Sequence, residues 1–315
     1  MTKEEKTKKI IAIVGPTASG KTSLAVELAK KMKTEIISAD SRQIFKEFNI
    51  ATAKPSIEEM QGIKHYLMDF INPTEEFTVA DFKDQATIII DNLTKQGKTP
   101  IVVGGTGLYF RILLENFDLP RVAPNKELRE ELHKIENEKG VEALYKMLTE
   151  LDPLLAEKIH PNNSVKIVRA LEVCKTLGIP MSQAQRVKET PDYEVTWIGL
   201  GHLNGEDREL LYSRTDKRVD IMLEQGLETE AKALFEKYGH IQSLEKTIGY
   251  QEFLEYFKGQ KTKEEAIAQI KQNTRRYAKR QLTWFRRNEN IHWLDITSSR
   301  EKLVETCIEL HNSEK

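Results

Sequence analysis

The residues with the clearest chemistry lie near the N-terminus, where Gly15-Pro16-Thr17-Ala18-Ser19-Gly20-Lys21-Thr22 fits G-x-x-x-x-G-K-S/T at every fixed position. The spacing has a physical cause. Glycine lets the backbone wrap closely, so that successive N–H groups point into one concavity and donate to phosphate oxygens. A helix starting at Gly20 adds its positive N-terminal end. Lys21 supplies a mobile cation, the Thr22 hydroxyl is a ligand for Mg²⁺, and Thr17 reaches the anion from within the loop. A di- or triphosphate is therefore expected here. The motif does not say which one, or what bond breaks.

A second cluster lies near the C-terminus. Between Arg275 and Arg287 stand six basic residues and no acidic one. Arg276, Arg280, Thr283 and Arg287 follow i, i+4, i+7 and i+11, one stripe of a helix, while Ile267, Ile270, Tyr277 and Trp284 fall on a different, apolar face. A merely solvated face would mix signs. A basic stripe opposite a buried one predicts contact with nucleic-acid phosphates. Arg214 and Arg218 are also four apart on a predicted helix and share a face, which could equally be solvated.

Elements must position these groups. Lys9 to Val14 is a β-branched run ending at Gly15 and predicts a buried strand. Gly20 to Lys31 predicts a helix, and Glu35 to Ala39 a second strand ending at Asp40. Phe82, Ala86, Ile89 and Leu93 recur at helical spacing within Val79 to Gln96. Ile101 to Val103 is a third strand running into Gly104-Gly105, ahead of Thr106. Strands alternating with helices imply a parallel sheet covered on both faces. Asp40 and Thr106 then follow strand ends, where the binding sites of such sheets lie. From Pro120 to about Pro191 the chain is charged and helical with no strand candidate, a helical insertion. Val195 to Leu200 returns to the sheet. Helices follow over Glu206 to Gln225, Glu228 to Tyr238, Glu245 to Lys258 and Lys263 to Arg287, and Ile291 to Leu294 predicts a last edge strand. The expected organisation is a core from residues 1–117 and 195–315 with an insertion domain over 118–194.

The bulk numbers agree with a globular α/β enzyme. Of 315 residues, 39% are hydrophobic and 31% charged, and the net charge is −1, so any nucleic-acid surface must be local. Cys174 and Cys307 match no zinc spacing or disulfide framework. Met1 to Lys9 lacks an apolar signal core, and no apolar run approaches the roughly 20 residues that span a bilayer. A soluble, cytoplasmic protein that binds no membrane is expected.

The wider sequence is recognisable. The loop at Gly15 to Thr22, then Ile37-Ser38-Ala39-Asp40-Ser41, Thr52-Ala53-Lys54-Pro55, Gly104-Gly105-Thr106-Gly107-Leu108-Tyr109, His160-Pro161-Asn162, Arg169-Ala170-Leu171-Glu172, Ile248-Gly249-Tyr250 and Lys279-Arg280-Gln281-Leu282-Thr283-Trp284 occur in this order. Together they closely resemble the tRNA dimethylallyltransferases, or tRNA isopentenyltransferases, over about Ile10 to Leu294. The resemblance implies a P-loop NTPase-like core with an all-helical insertion. It also implies transfer of dimethylallyl from dimethylallyl diphosphate to N6 of the adenosine immediately 3′ of the anticodon (A37), with Mg²⁺ and with tRNA as partner. The eukaryotic relatives carry a C2H2 zinc finger that has no counterpart here, so the chain resembles the short bacterial form, expected to be a monomer.

The same resemblance assigns roles. An Arg from the 214–218 segment lies on the diphosphate, with the choice between Arg214 and Arg218 open. The Asp of the second block is the general base that takes the proton from the attacking amine, and here that is Asp40. The other readings of Asp40 are a Mg²⁺ ligand or a helix N-cap before Arg42. Thr106 sits beside the substrate base, or else is an ordinary helix N-cap. Contact with tRNA is expected from Asp40, Ser41, Arg42 and Gln43, from Lys166 and Arg169, from Lys246, Gly249, Tyr250 and Gln251, and from Lys279, Arg280, Gln281, Thr283, Trp284 and Arg286. Arg129, on the first insertion helix, is a further candidate. Relatives carry more basic residues just before Arg169 than the Ser164 to Val168 segment here. His65 is assigned no role.

Three rival functions share parts of this pattern. A kinase of a nucleoside or small metabolite would use the loop with ATP, but would show lid arginines and would not need a long basic helix. An adenylate isopentenyltransferase would share the prenyl chemistry on a free nucleotide; the insertion and the basic helix argue against it. A nucleotide-switched RNA-binding module would leave Asp40 no proton to take.

Overall fold

The computed structural model describes residues 7–115, 117–187, 192–201 and 208–313. Its strands are β1 (Lys8–Val14), β2 (Ile36–Ser38), β3 (His65–Tyr66), β4 (Ile101–Val103), β5 (Phe117–Asp118), β6 (Arg186–Val187), β7 (Tyr193–Gly201) and β8 (His292–Asp295). Six of them form one sheet in the order β3-β2-β4-β1-β7-β8, and every pairing in it is parallel. A parallel sheet needs helices on both faces, and the strand sequences show it. Residues 10 to 14 are completely buried, alternating between two hydrophobic clusters. One face packs Ile10, Ala12 and Val14 against Phe82, Phe110 and Trp197. The other packs Ile11 and Ile13 against Leu24, Leu28 and Val304. The α/β core is as expected, with two additions. The two-residue edge strand β3 is too short to carry a period in sequence. The helix Arg300–Ser313, which buries Leu303, Val304 and Cys307 on the helix after β1, lies beyond the last expected element.

The chain divides into two compact units, Met1–Leu114 with Asp192–Lys315, and Glu115–Pro191. Tyr193 and Glu194, placed in the insertion from sequence, belong to β7 and pair with Lys8 and Lys9. The smaller unit has its own core, in which Leu132, Leu144, Leu148, Ile167 and Leu171 from three helices are fully buried. It is not wholly helical, because β5 and β6 pair antiparallel through Phe117–Val187 and Asp118–Arg186. Met1 to Lys6, Pro191 at the end of the expected insertion, and Glu206 and Asp207 at the start of an expected helix lie outside the described residues. That helix is described over Arg208–Glu224.

The glycine that follows β4 fixes how closely two strand ends approach. A Cβ at Gly104 would lie 2.1 Å from the Ala39 carbonyl oxygen, a backbone atom that cannot swing away. Gly104→Ala is expected to lower the unfolding free energy by about 2–3 kcal/mol, the usual cost of overpacking. Urea denaturation checks this; an unchanged midpoint would mean that the turn after β2 yields freely.

Candidate active site

Three turns meet at the carboxyl edge of β2-β4-β1. They are tied by Ala39 N–H donating to the Val103 carbonyl at 2.7 Å, Gly104 N–H to Ile13 at 3.2 Å and Thr106 N–H to Ala39 at 3.2 Å. This is where an open α/β sheet forms its crevice. A cleft of about 860 Å³ opens there, lined by loop residues Thr17, Ala18, Gly20, Lys21 and Thr22, by Asp40 to Gln43, and by Arg218, Tyr277 and Arg280.

The loop after β1 is built to receive an anion. Ala18 and Gly20 have φ of 62° and 89°, which turns successive N–H groups the same way. Among the described residues, the N–H groups of Ala18, Ser19, Gly20, Lys21 and Thr22 have no protein partner. The buried Ser19 hydroxyl likewise has none. Backbone donors are rarely left unpaired, so this run of them marks a ligand site. Two of the loop carbonyls are held by arginines. Arg214 Nε–H donates to Ala18 at 3.0 Å and Arg300 Nη1 to Gly20 at 3.2 Å. Arg218, in contrast, lines the cleft, and its charge bears on Lys21. The structure thus separates the two arginines that the sequence left together.

Lys21 Nζ donates to the Pro16 carbonyl at 2.5 Å. Burial lowers its pKa to about 8, with the Asp40 carboxylate raising it and Arg218 lowering it. Above that pH the loop therefore loses its cation. An anion favours the ammonium, so binding above pH 8 draws a proton from solution and the affinity falls as pH rises. Calorimetry with pyrophosphate at pH 8.5, in buffers of differing ionisation enthalpy, is expected to detect proton uptake that Lys21→Met lacks. Equal uptake in the two proteins would exclude Lys21 as its source.

Asp40 ends the turn after β2. Its Oδ1 accepts from Arg42 N–H at 2.8 Å and Gln43 N–H at 3.3 Å, while Oδ2 has no hydrogen-bond partner among the described residues. It therefore both caps a turn and leaves an oxygen for chemistry. Burial first, and then the Asp40 charge, raise the phenol pKa values of Tyr109 and Tyr277, keeping both protonated beside it. Thr106 does not line the cleft. Its Oγ1 accepts from Ser41 N–H at 3.0 Å and so joins the turn after β4 to the Asp40 turn. Gln43 Nε2 donates to the Thr52 and Ala53 carbonyls, holding the next loop against the cleft.

The basic helix is Lys263–Phe285. Arg276, Lys279, Arg280 and Thr283 are exposed on it, as are Arg286 and Arg287 just past its end, so the expected stripe does not continue as helix to Arg287. Arg275, one of the six basic residues but outside the stripe, is paired with Asp216 at 2.7 Å. Gln281 is only 5% exposed and turns its carboxamide to the phosphate loop at the cleft, and Trp284 is half-buried above Gly107. Lys246, Gly249 and Gln251 line the cleft, but Tyr250 is fully buried and donates its hydroxyl to Glu230 at 2.7 Å. Tyr250 thus presents no side chain to RNA, whereas Gln281 meets the cleft with a carboxamide already bonded to the phosphate loop. Helical periodicity had already placed Tyr277 and Trp284 on the buried face; a polar Gln281 on that face was the missed signal.

In the smaller unit Lys166 is exposed, but Arg129 and Arg169 have a structural task. Both bind the wholly buried Glu172, Arg129 through Nε at 2.8 Å and Nη2 at 2.9 Å, Arg169 through Nη1 at 2.5 Å. Burial alone would raise the Glu172 pKa; the arginines and the Asn125 N–H outweigh it and hold it below the usual range. Contact of Arg129 and Arg169 with RNA would compete with this buried charge, which needs its partners. Two functional residues had no sequence signal. Glu230 accepts the N–H groups of Asn49, Ile50 and Ala51, and Arg300 braces the phosphate loop.

No group of three or more His, Cys, Asp or Glu side chains among the described residues could hold a metal ion. Magnesium needs no such cage, since it is held by one or two protein oxygens, water and substrate phosphates. Thr22, lining the cleft with the loop donors, fits that pattern.

Comparison with known proteins agrees with this geometry. The family model described as IPP transferase matches residues 43–288. The tRNA dimethylallyltransferase of Acetivibrio thermocellus is 47% identical over 300 residues, covering 94% of this chain and 95% of that one. The crystal structure of the full-length tRNA isopentenylpyrophosphate transferase from Bacillus halodurans superposes with a TM-score of 0.70 at 42% identity, covering 98% and 95%. A eukaryotic dimethylallyltransferase captured acting on tRNA gives a TM-score of 0.76 at 31% identity, covering 92% of this chain and 74% of its own. Sheet order, phosphate loop and near full-length identity converge, and the chain belongs to the IPP transferase family.

Proposed function

We propose that this protein transfers a dimethylallyl group from dimethylallyl diphosphate to N6 of the adenosine immediately 3′ of the anticodon in tRNA, releasing diphosphate. The observation that carries the reading is the run of five unpaired loop N–H groups, from Ala18 to Thr22, opening with Lys21 and Arg218 onto the same cleft as Asp40. The allylic C–O bond breaks and its electron pair leaves on the diphosphate. Loop N–H groups, Lys21 and Arg218 stabilise that charge in a partly desolvated cleft. The exocyclic amine forms the new N–C bond and gives up a proton, which the Asp40 carboxylate accepts. Mg²⁺ held at Thr22 would neutralise further charge on the leaving group. Stacked adenosine must leave its neighbours to reach this cleft, at a cost of a few kcal/mol.

The exposed part of the basic helix suits the anticodon arm. Arg280→Ala is expected to weaken tRNA binding and to reduce the slope of log K against log salt by about 1. An unaltered slope would remove this residue from the phosphate contacts. Among the described residues no helix is long and apolar enough to cross a membrane. We further read the protein as a cytoplasmic monomer acting on tRNA.

A direct assay decides between this function and its rivals. The protein is mixed with labelled dimethylallyl diphosphate, ATP, AMP and unmodified tRNA. Label is expected on tRNA with no need for ATP. Label on AMP, or phosphate transfer from ATP, would defeat the proposal.

A further inference from the structure

The Pro16–Thr17 peptide of the phosphate loop is held at both ends. Its carbonyl accepts from Lys21 Nζ at 2.5 Å, and its N–H donates to Gln281 Oε1 at 2.8 Å. Gln281 is satisfied in turn, since its Nε2 donates to the Gly105 carbonyl at 3.0 Å. The contact is close. A Cβ at Gly105 would lie 2.1 Å from Gln281 Nε2. One buried carboxamide therefore joins the turn after β1, the turn after β4 and the basic helix.

We propose that Gln281 is a positioning residue for the phosphate loop, fixing the plane of the Pro16–Thr17 peptide and through it the place from which Lys21 meets the anion. The inference rests on the reading of Gly15 to Thr22 as the diphosphate cradle. A peptide unit is planar, so anchoring its N–H also sets the direction of its carbonyl. Before an anion arrives, the carbonyl is doubly determined, by Lys21 and by Gln281. When the ammonium turns toward a diphosphate, only Gln281 still holds the peptide. Rotation of the plane would then break the Thr17 N–H bond and leave the Oε1 of the buried Gln281 unpaired, which is costly. The loop thus keeps its shape while its lysine changes partners. Because Gln281 lies between Arg280 and Thr283 on the same helix, the clamp also ties the cradle to the element that carries the exposed basic residues.

The test uses inorganic pyrophosphate with Mg²⁺ and the full chain. Native protein that fails to bind pyrophosphate would defeat the cradle reading itself. If native protein binds, Gln281→Met, which keeps volume but loses the acceptor, is expected to bind about tenfold more weakly. Its affinity for an anticodon stem-loop RNA should stay within about twofold. Gln281→Asn, polar but too short to reach, should behave alike. Hydrogen exchange followed by NMR gives the direct signature. The Thr17 amide is expected to be protected in the native protein without ligand and to exchange at least about tenfold faster in either variant. A folded variant with native pyrophosphate affinity and native Thr17 protection overturns the clamp. Should both variants fail to fold, a native Thr17 amide that exchanges like an open loop amide overturns it without them.

Discussion

Asp40→Asn is expected to lower turnover at saturating tRNA by on the order of 10²-fold or more, with tRNA affinity little changed. The two carboxylate oxygens do different things. Oδ1 holds the turn by accepting the Arg42 and Gln43 N–H groups; Oδ2 has no partner among the described residues. Asparagine can keep the first role, since its carbonyl accepts the same bonds, but it cannot take a proton. Asp40→Ala removes both roles. It should cost the same turnover and in addition loosen the turn by roughly 1 kcal/mol, the worth of such a cap. Single-turnover kinetics with pre-bound tRNA separate the effects. If Asp40→Asn transfers the prenyl group at the native rate, the proton leaves by another route.

Arg218→Ala is expected to lower turnover by about 10²–10³-fold, the loss seen when a donor to developing charge is removed. Arg214→Ala should lose far less, about tenfold at most, because its guanidinium braces the Ala18 carbonyl at 3.0 Å and does not line the cleft. A steady-state comparison of the two variants decides the assignment, and a reversed order would exchange their roles. The contrast follows from position. Arg218 lines the cleft beside Lys21, whereas Arg214 is spent on the Ala18 carbonyl and lies outside the cleft lining.

Much of this was legible in the chain itself. The phosphate loop was, because its constraints are local. Glycines at fixed offsets, a lysine and a hydroxyl have meaning within eight residues, and the strand and helix around them follow from apolar runs of the right period. Five of the six sheet strands were legible for the same reason, as was the buried face of the basic helix. Tertiary structure alone decided what depends on long-range partners. Arg214 and Arg218 share a helical face, and only the packing of that helix against the loop shows which lines the cleft. Arg129, Arg169 and Tyr250 look like surface groups in sequence; their tasks are set by Glu172 and Glu230, carboxylates with no local signature. Gln281 stands 264 residues from Thr17, and no periodicity connects a side chain to a backbone N–H at that distance. The sequence by itself determined which chemical groups the protein carries and the elements that hold them. The fold determined which of those groups face the anion, because direction in space is set by packing and burial and not by spacing along the chain.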